Sequence, residues 1–189
     1  NKKVIIGATT IHDGDYYNSF FLLEKNKIQT FDKQILVPFG EFLPFRKYLN
    51  FMEIISGSTD YQKGDAERII TTSDNLKILP IICYEIVFDK IFNNINKKEI
   101  DILVNITNDS WFGTRSGPYQ HFYISRLKAL VANKPLLRVS NNGISAIIDN
   151  NGKIIKSSKL NEITQLKYEL KVNNKKSYFP MHKIFMFYL

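Results

Sequence analysis

An apolar, β-branched run leads into a polar bend near the middle of this chain, at residues 79–86 (LPIICYEI). Short runs of this kind, rich in Val and Ile, are typical of buried strands, so a strand is predicted up to Ile82. Beyond the bend, apolar residues recur at helical spacing: Ile86, Val87, Ile91 and Phe92. This spacing predicts a helix that begins near Tyr84. Cys83, the lone cysteine, therefore lies where a strand ends and a helix begins.

Two interpretations of Cys83 follow from that position. Backbone N–H groups at the start of a helix favour an anion, so they suit a thiolate nucleophile. Free cysteine is also among the most buried residue types, so a plain core position is the alternative. The local sequence favours the core position, and residues elsewhere in the chain reverse that preference.

The N-terminal third alternates short apolar runs with turn residues. Strands are predicted at residues 4–8, 18–23 and 28–31, with turns at 13–15 and 25–27. They indicate a meander, and parallel placement of the first strand is the alternative. Residues 38–44 (PFGEFLP) are too apolar and too rich in Pro and Gly for a regular element, which predicts an ordered loop. Residues 46–55 have the spacing of a helix.

The rest of the chain mixes strand–helix–strand units with hairpins. Strands are predicted at residues 69–72, 77–82, 102–107, 136–139, 144–148, 153–155 and, weakly, 164–172, with a helix at 120–132. The turn Asn150-Asn151-Gly152 is a strong hairpin signal. The pattern predicts an α/β or α+β sandwich with buried sheets, and one domain over residues 1–189.

The composition bears on possible partners, on disulfide bonds and on membrane spans. The net charge of +8 is spread over many lysines among 189 residues. A solvated basic surface is the preferred explanation, and anionic lipid head groups or nucleic acid are the alternatives. A single cysteine excludes an internal disulfide. No apolar run is long enough to span a bilayer.

The two ends of the sequence suggest a piece of a longer protein. The chain starts at Asn1 without Met or a signal peptide, and it stops within an apolar run at residues 183–189. We therefore expect truncation at both ends. Residues 173–189 then form a tail that leads either toward a missing membrane helix or simply ends as an apolar segment.

Candidate chemistry gathers in three loops at predicted strand ends, at residues 33–44, 83–85 and 108–117. Sites in α/β folds collect at the carboxyl ends of strands. A thiol nucleophile needs a base and a cation or N–H donors for the oxyanion. Lys33 supplies the cation, and Glu41 or Glu85 supplies a carboxylate.

The three histidines, His12, His121 and His182, have no metal-ligand spacing, so no zinc site is expected. A Cys83–His121 pair is one hypothesis. A partly buried, hydrogen-bonded His121 is the alternative, and it is preferred.

Five segments resemble, in the same order, those of bacterial apolipoprotein N-acyltransferases. They are residues 31–42 (FDKQILVPFGEF), 82–85 (ICYE), 108–113 (NDSWFG), 117–121 (GPYQH), and 135–138 (PLLR) with 141–143 (NNG). That family belongs to the nitrilase-like carbon–nitrogen hydrolase superfamily. The resemblance covers about residues 4–155, and it implies an α-β-β-α sandwich that is incomplete at the N-terminus.

The resemblance also implies a Glu–Lys–Cys site. Cys83 matches the nucleophile and Lys33 the lysine that stabilises the tetrahedral intermediate. The supporting residues are Glu41, Glu85 and Tyr84, and the substrate-lining residues are Trp111, Phe39 and Phe42. Without the resemblance, Lys33 reads as a surface lysine, Glu41 as a loop cap and Trp111 as core. The general-base glutamate lies upstream of the lysine in the family, and the only glutamate before Lys33, Glu24, lacks its Pro-Glu context.

By resemblance, the activity is transfer of an acyl chain from a phospholipid, through a thioester on Cys83, to the α-amino group of a diacylglyceryl-cysteine lipoprotein. No metal, organic cofactor or nucleic acid takes part, and the location is the periplasmic side of the bacterial inner membrane. Phe39, Phe42, Phe45, Trp111 and Phe112 are then expected around a lipid-facing entrance. A soluble amidase of the same superfamily and a non-catalytic remnant are the alternatives.

Overall fold

The computed structural model describes residues 3–45, 59–92 and 100–169. The N-terminal part forms an antiparallel meander of strands β1 (Val4–His12), β2 (Asp15–Glu24) and β3 (Lys27–Asp32). Asp13 and Gly14 both have positive φ, at 53° and 89°, as a two-residue hairpin turn that matches the strand twist requires. The predicted meander is confirmed, and β1 pairs antiparallel with β2 rather than parallel.

A second sheet contains six strands in chain order. They are β4 (Ile70–Thr71), β5 (Lys77–Ile82), β6 (Ile102–Thr107), β7 (Leu136–Ser140), β8 (Ala146–Ile148) and β9 (Ile154–Ser157). Strands β5, β6 and β7 are parallel neighbours, and the flanking pairs are antiparallel. The parallel strands are nearly continuous apolar runs because both faces of the sheet are covered. The predicted hairpins β4–β5 and β8–β9 are confirmed.

Two apolar layers lie on opposite faces of the six-stranded sheet. On β5, Ile78 and Ile82 belong to the cluster that includes Phe20 of the first sheet. Leu79 and Ile81 belong to the cluster that includes residues of helix α1 (Ser116–Ala132). The described residues therefore form a helix–sheet–sheet stack, and the sandwich architecture predicted from the sequence is confirmed. The helices of the described part of the chain are all too short or too polar to cross a membrane.

The chain after Cys83 departs from the prediction. Two 3₁₀ turns, Cys83–Val87 and Asp89–Ile91, replace the expected helix, and Phe88 between them is extended. Cys83 is the first residue of this segment and has a φ of 52°, a left-handed conformation that cannot form the first turn of an α-helix.

Other expectations have different outcomes. The strand expected at residues 164–172 is irregular over 164–169. The helix expected at 46–55 and the tail at 173–189 lie outside the described residues.

Candidate active site

An open cleft of about 1210 Å³ lies between the carboxyl ends of β5, β6 and β7 and strand β1. Parallel strands end together at one edge of their sheet, which is where α/β folds place their sites. Five of the eight residues proposed from the sequence line this cleft: Lys33, Glu41, Cys83, Tyr84 and Trp111. The other three, Phe39, Phe42 and Glu85, are not among its lining residues.

Cys83 occupies a strained bend at the end of β5. Its φ is 52°, a left-handed conformation that non-glycine residues rarely adopt, and its side chain is half-buried in the cleft lining. Such a conformation costs about 1–3 kcal/mol and persists where neighbouring contacts enforce it. The bend places the lone thiol at a strand end, as the sequence predicts, but on a 3₁₀ turn.

Lys33 is fully buried and is not a surface lysine. Its Nζ donates to Oε2 of Glu41 at 2.5 Å. The same oxygen accepts from the N–H of Val37 at 2.9 Å, and Oε1 accepts from Nδ2 of Asn18 at 3.1 Å. Glu41 therefore caps its own loop and also fixes Lys33. Because the carboxylate is held by three donors, the pair presents an immobile cation to the cleft that holds Cys83.

Glu85 is fully buried and connects the lysine loop to the cysteine bend. Its carboxylate accepts from the N–H groups of Gln34 and Ile35, at 2.9 and 3.0 Å, and from that of Ile82 at 3.0 Å. Arg68 donates to both of its oxygens, at 3.0 and 2.7 Å. Glu85 thus fixes where Lys33 lies relative to Cys83 without lining the cleft. The sequence analysis did not single out Arg68.

The aromatic residues divide into two groups. Trp111, 73% exposed, and Phe112 line the cleft. Phe39 and Phe45 are exposed at 43% and 79%, yet neither they nor Phe42 belong to the lining. The structure therefore places these three residues outside the lining of the cleft.

The reason is a tight turn in the lysine loop. The N–H of Glu41 donates to the carbonyl of Val37 at 2.9 Å, and Phe39 has a φ of 63°. This turn brings Val37, Gly40 and Glu41 to the cleft instead.

A buried polar cluster lies next to the cleft, between β6, β7 and α1. Its members are Asn105, Asp109, His121, Ser125 and Arg138. Nη2 of Arg138 donates to Oδ2 of Asp109 at 2.6 Å, and Nη1 donates to Oγ of Ser125 at 3.0 Å. This ion pair was not predicted from the sequence, although an arginine inside an apolar strand indicates a buried carboxylate partner.

His121 belongs to this cluster and does not line the cleft. Its Nδ1 lies 2.9 Å from Oδ1 of Asp109, and its ring contacts those of Tyr84 and Phe112. Burial and the charge of Arg138 together lower the pKa of His121 by more than Asp109 and the Cys83 carbonyl raise it. The hydrogen bond of the preferred interpretation is present, but His121 is fully rather than partly buried.

Lowering the pH should destabilise the protein through Asp109. Burial by itself would raise the pKa of this carboxyl, but hydrogen bonding from His121 and the charge of Arg138 outweigh it and lower the pKa from 3.8 to about 2. A carboxyl group whose pKa is lowered by folding stabilises the folded state at pH values above its ordinary pKa. That contribution is lost as the pH falls from about 4 to about 2. We expect the free energy of unfolding, measured by urea unfolding, to fall by about 2 kcal/mol over this pH range. Asp109→Asn should remove the corresponding part of the pH dependence, and an unchanged slope in this variant would contradict the assignment.

The sequence profile of the carbon–nitrogen hydrolases matches residues 2–176 of the chain. The chain belongs to the carbon–nitrogen hydrolase family. Similar curated sequences include the apolipoprotein N-acyltransferases of Rickettsia bellii, 46% identical over 156 residues, and Rickettsia prowazekii, 44% identical over 154 residues. These alignments cover 82% and 80% of this chain and 31% of each relative. The chain therefore spans about a third of the length of these carbon–nitrogen hydrolase relatives.

Solved structures of the family share its fold. Saccharomyces cerevisiae Nit3, of the nitrilase superfamily, superposes with a TM-score of 0.59 at 18% identity, covering 84% of this chain and 55% of Nit3. A carbon–nitrogen hydrolase from Helicobacter pylori gives 0.61 at 18% identity, covering 85% and 60%. The nitrilase-like fold expected from the sequence is confirmed.

Proposed function

We propose that this chain is the catalytic part of an N-acyltransferase, which moves an acyl chain from a phospholipid through a thioester on Cys83 to the α-amino group of a diacylglyceryl-cysteine lipoprotein. One observation carries the proposal: a thiol on a strained bend and a buried ammonium group, Lys33, line the same cleft. The apolipoprotein N-acyltransferases that resemble the chain support this choice of substrates.

The first half-reaction forms a thioester. The Cys83 thiolate attacks the ester carbonyl carbon of the phospholipid, a C–S bond forms, and the carbonyl oxygen becomes an oxyanion that the Lys33 ammonium stabilises. The C–O bond then breaks, and the lysophospholipid alkoxide leaves and takes up a proton. Glu41 and Glu85 hold Lys33 and its loop in place for this step.

The second half-reaction needs a base. The lipoprotein amine attacks the thioester, a C–N bond forms, the C–S bond breaks, and the amine nitrogen gives up one proton. Glu41 is already bound by three donors, and none of the acidic residues between 3 and 32 lines the cleft. Glu162, which was not predicted from the sequence, is the second carboxylate among the lining residues of the described chain, but its Oε2 already accepts from the N–H of Lys159 at 2.6 Å. We therefore expect aminolysis by this chain to be slow, by about 10²–10⁴-fold relative to a protein with a positioned base.

The cleft rim suits an acyl chain at a membrane surface. Ile6, Val139, Ile163 and Trp111 line the cleft, and each exposes more than two fifths of its surface. Exposed apolar groups around a cleft indicate an apolar partner. The net charge of +8 suits anionic head groups. We place the reaction at the periplasmic face of the bacterial inner membrane.

An activated ester tests the first half-reaction. p-Nitrophenyl octanoate has a good leaving group that departs without a general acid, so acylation depends on Cys83 and Lys33 alone. We expect a burst of about one equivalent of p-nitrophenolate and a matching acyl adduct by intact mass. Cys83→Ala should abolish both, and Lys33→Met should slow the burst by about 10²-fold. A Cys83→Ala protein that still gives the burst and the adduct would rule out the thioester.

How the acyl adduct reacts further distinguishes a transferase from an amidase and from a non-catalytic domain. If the chain is a transferase, the thioester persists in water, a lipopeptide with a free α-amino group discharges it, and phospholipid micelles also form it. Rapid hydrolysis with no effect of the amine would instead indicate an amidase. A chain that forms no adduct with either ester would be a non-catalytic remnant.

A further inference from the structure

Strand β5 leaves its sheet at the bend that carries Cys83. Its last ladder partner on β6 is Ile106, opposite Ile82, so the carbonyl groups around the bend need hydrogen-bond donors from elsewhere. Asn105 on β6 supplies them: its Nδ2 donates to the carbonyl of Ile81 at 3.1 Å and to that of Cys83 at 3.3 Å. One side-chain amide thus binds the backbone on both sides of the bend.

Asn105 is itself fully buried in an otherwise apolar stretch of β6, residues 102–106 (ILVNI). Its Oδ1 accepts from Nη1 of Arg138, and Arg138 is in turn fixed by Asp109 and Ser125. An amide donates two hydrogens and accepts through one oxygen, and all of these functions are used here. The orientation of Asn105 is therefore set, with the oxygen toward Arg138 and both hydrogens toward β5.

We propose that Asn105 is a positioning residue that holds Cys83 in its left-handed conformation and so keeps the thiol in the cleft with Lys33. The inference rests on the proposed nucleophilic role of Cys83, but the restraint on the bend exists whether or not acyl transfer occurs. A positive φ at a cysteine relaxes unless its surroundings enforce it. The carbonyl of Cys83 accepts from Asn105, so losing that donor weakens the restraint on the peptide plane that follows the cysteine.

Asn105→Asp is the sharpest variant, because it keeps the size of the side chain and its acceptor for Arg138 but removes both donors. Cys83 is the lone cysteine, so labelling of the 189-residue chain with iodoacetamide reports this thiol alone. We expect the labelling rate to fall by about tenfold at every pH from 6 to 9.5. The thermal midpoint should also fall, because two buried carbonyls lose their donor, so labelling is measured well below it. Asn151→Asp adds the same charge at an exposed turn and is the matched control, with wild-type rates expected.

The pH dependence of the labelling rate distinguishes a displaced thiol from a thiol whose ionisation is changed by the new carboxylate. If the new carboxylate acts only by its charge, the variant and wild-type rates converge at high pH, where the thiol is ionised in both proteins, and the proposal is overturned. Wild-type rates throughout would overturn it as well. Should Asn105→Asp fail to fold, Asn105→Thr keeps a single hydroxyl donor on a β-branched residue suited to a strand, and its labelling should still be several-fold slower. A wild-type chain that alkylates normally but gives no ester burst would refute the proposed function and leave this inference standing.

Discussion

Arg138→Met should lower the free energy of unfolding by about 3–5 kcal/mol at neutral pH. Arg138 is 1% exposed, and its guanidinium donates to Asp109, Asn105, Ser125 and the carbonyl of Ile144. Methionine fills a similar volume but leaves the ionised Asp109 buried without its cation. The cost of an uncompensated buried charge, and not the loss of packing, sets the size of this effect.

Urea unfolding followed by circular dichroism measures the change. Arg115→Met removes the same charge from an exposed position and is the matched control, with a change within about 0.5 kcal/mol expected. Replacing both partners, as Arg138→Met with Asp109→Leu, should recover much of the loss because no buried charge is left unpaired. A loss below about 1 kcal/mol for Arg138→Met alone would show that the buried pair does not support the fold.

Glu85→Gln should lower the free energy of unfolding by about 3 kcal/mol, since it breaks a buried, charge-assisted hydrogen-bond network. The carboxylate accepts from three main-chain N–H groups and two Arg68 nitrogens. Glutamine offers one oxygen for these donors and directs its own N–H groups at the others. Five donors cannot share a single acceptor oxygen, so several lose their partner inside the protein.

The same variant should slow the ester burst, because Glu85 links residues 34 and 35, next to Lys33, to the end of β5. Glu169→Gln is the control, since Glu169 is exposed. Unfolding in urea and burst kinetics on the same preparations give both readouts. If Glu85→Gln unfolds like the wild type while the burst is lost, the carboxylate would act in the chemistry rather than through the positions of its neighbours.

Much of the element pattern could be predicted because it depends on local periodicity. The runs that form β5, β6 and β7 are apolar on both faces, and such runs are strands at the centre of a covered sheet. The two turns with positive-φ glycine or aspartate, at residues 13–14 and 150–152, mark hairpins by composition alone. The helix predicted after Cys83 was wrong, because apolar spacing does not reveal that Cys83 has a positive φ.

By itself the sequence determined the three strands of the N-terminal sheet, the position of Cys83 at a strand end, and the three loops that carry its candidate partners. Only the tertiary structure decided which of those partners share a cleft with the thiol. Lys33 and Glu41 line the cleft, whereas Glu85 is buried behind the loops and Phe39 and Phe42 lie outside the lining. Contacts between residues fifty positions apart depend on how two sheets pack and on which buried donors find acceptors, and neither leaves a periodic signal in the chain.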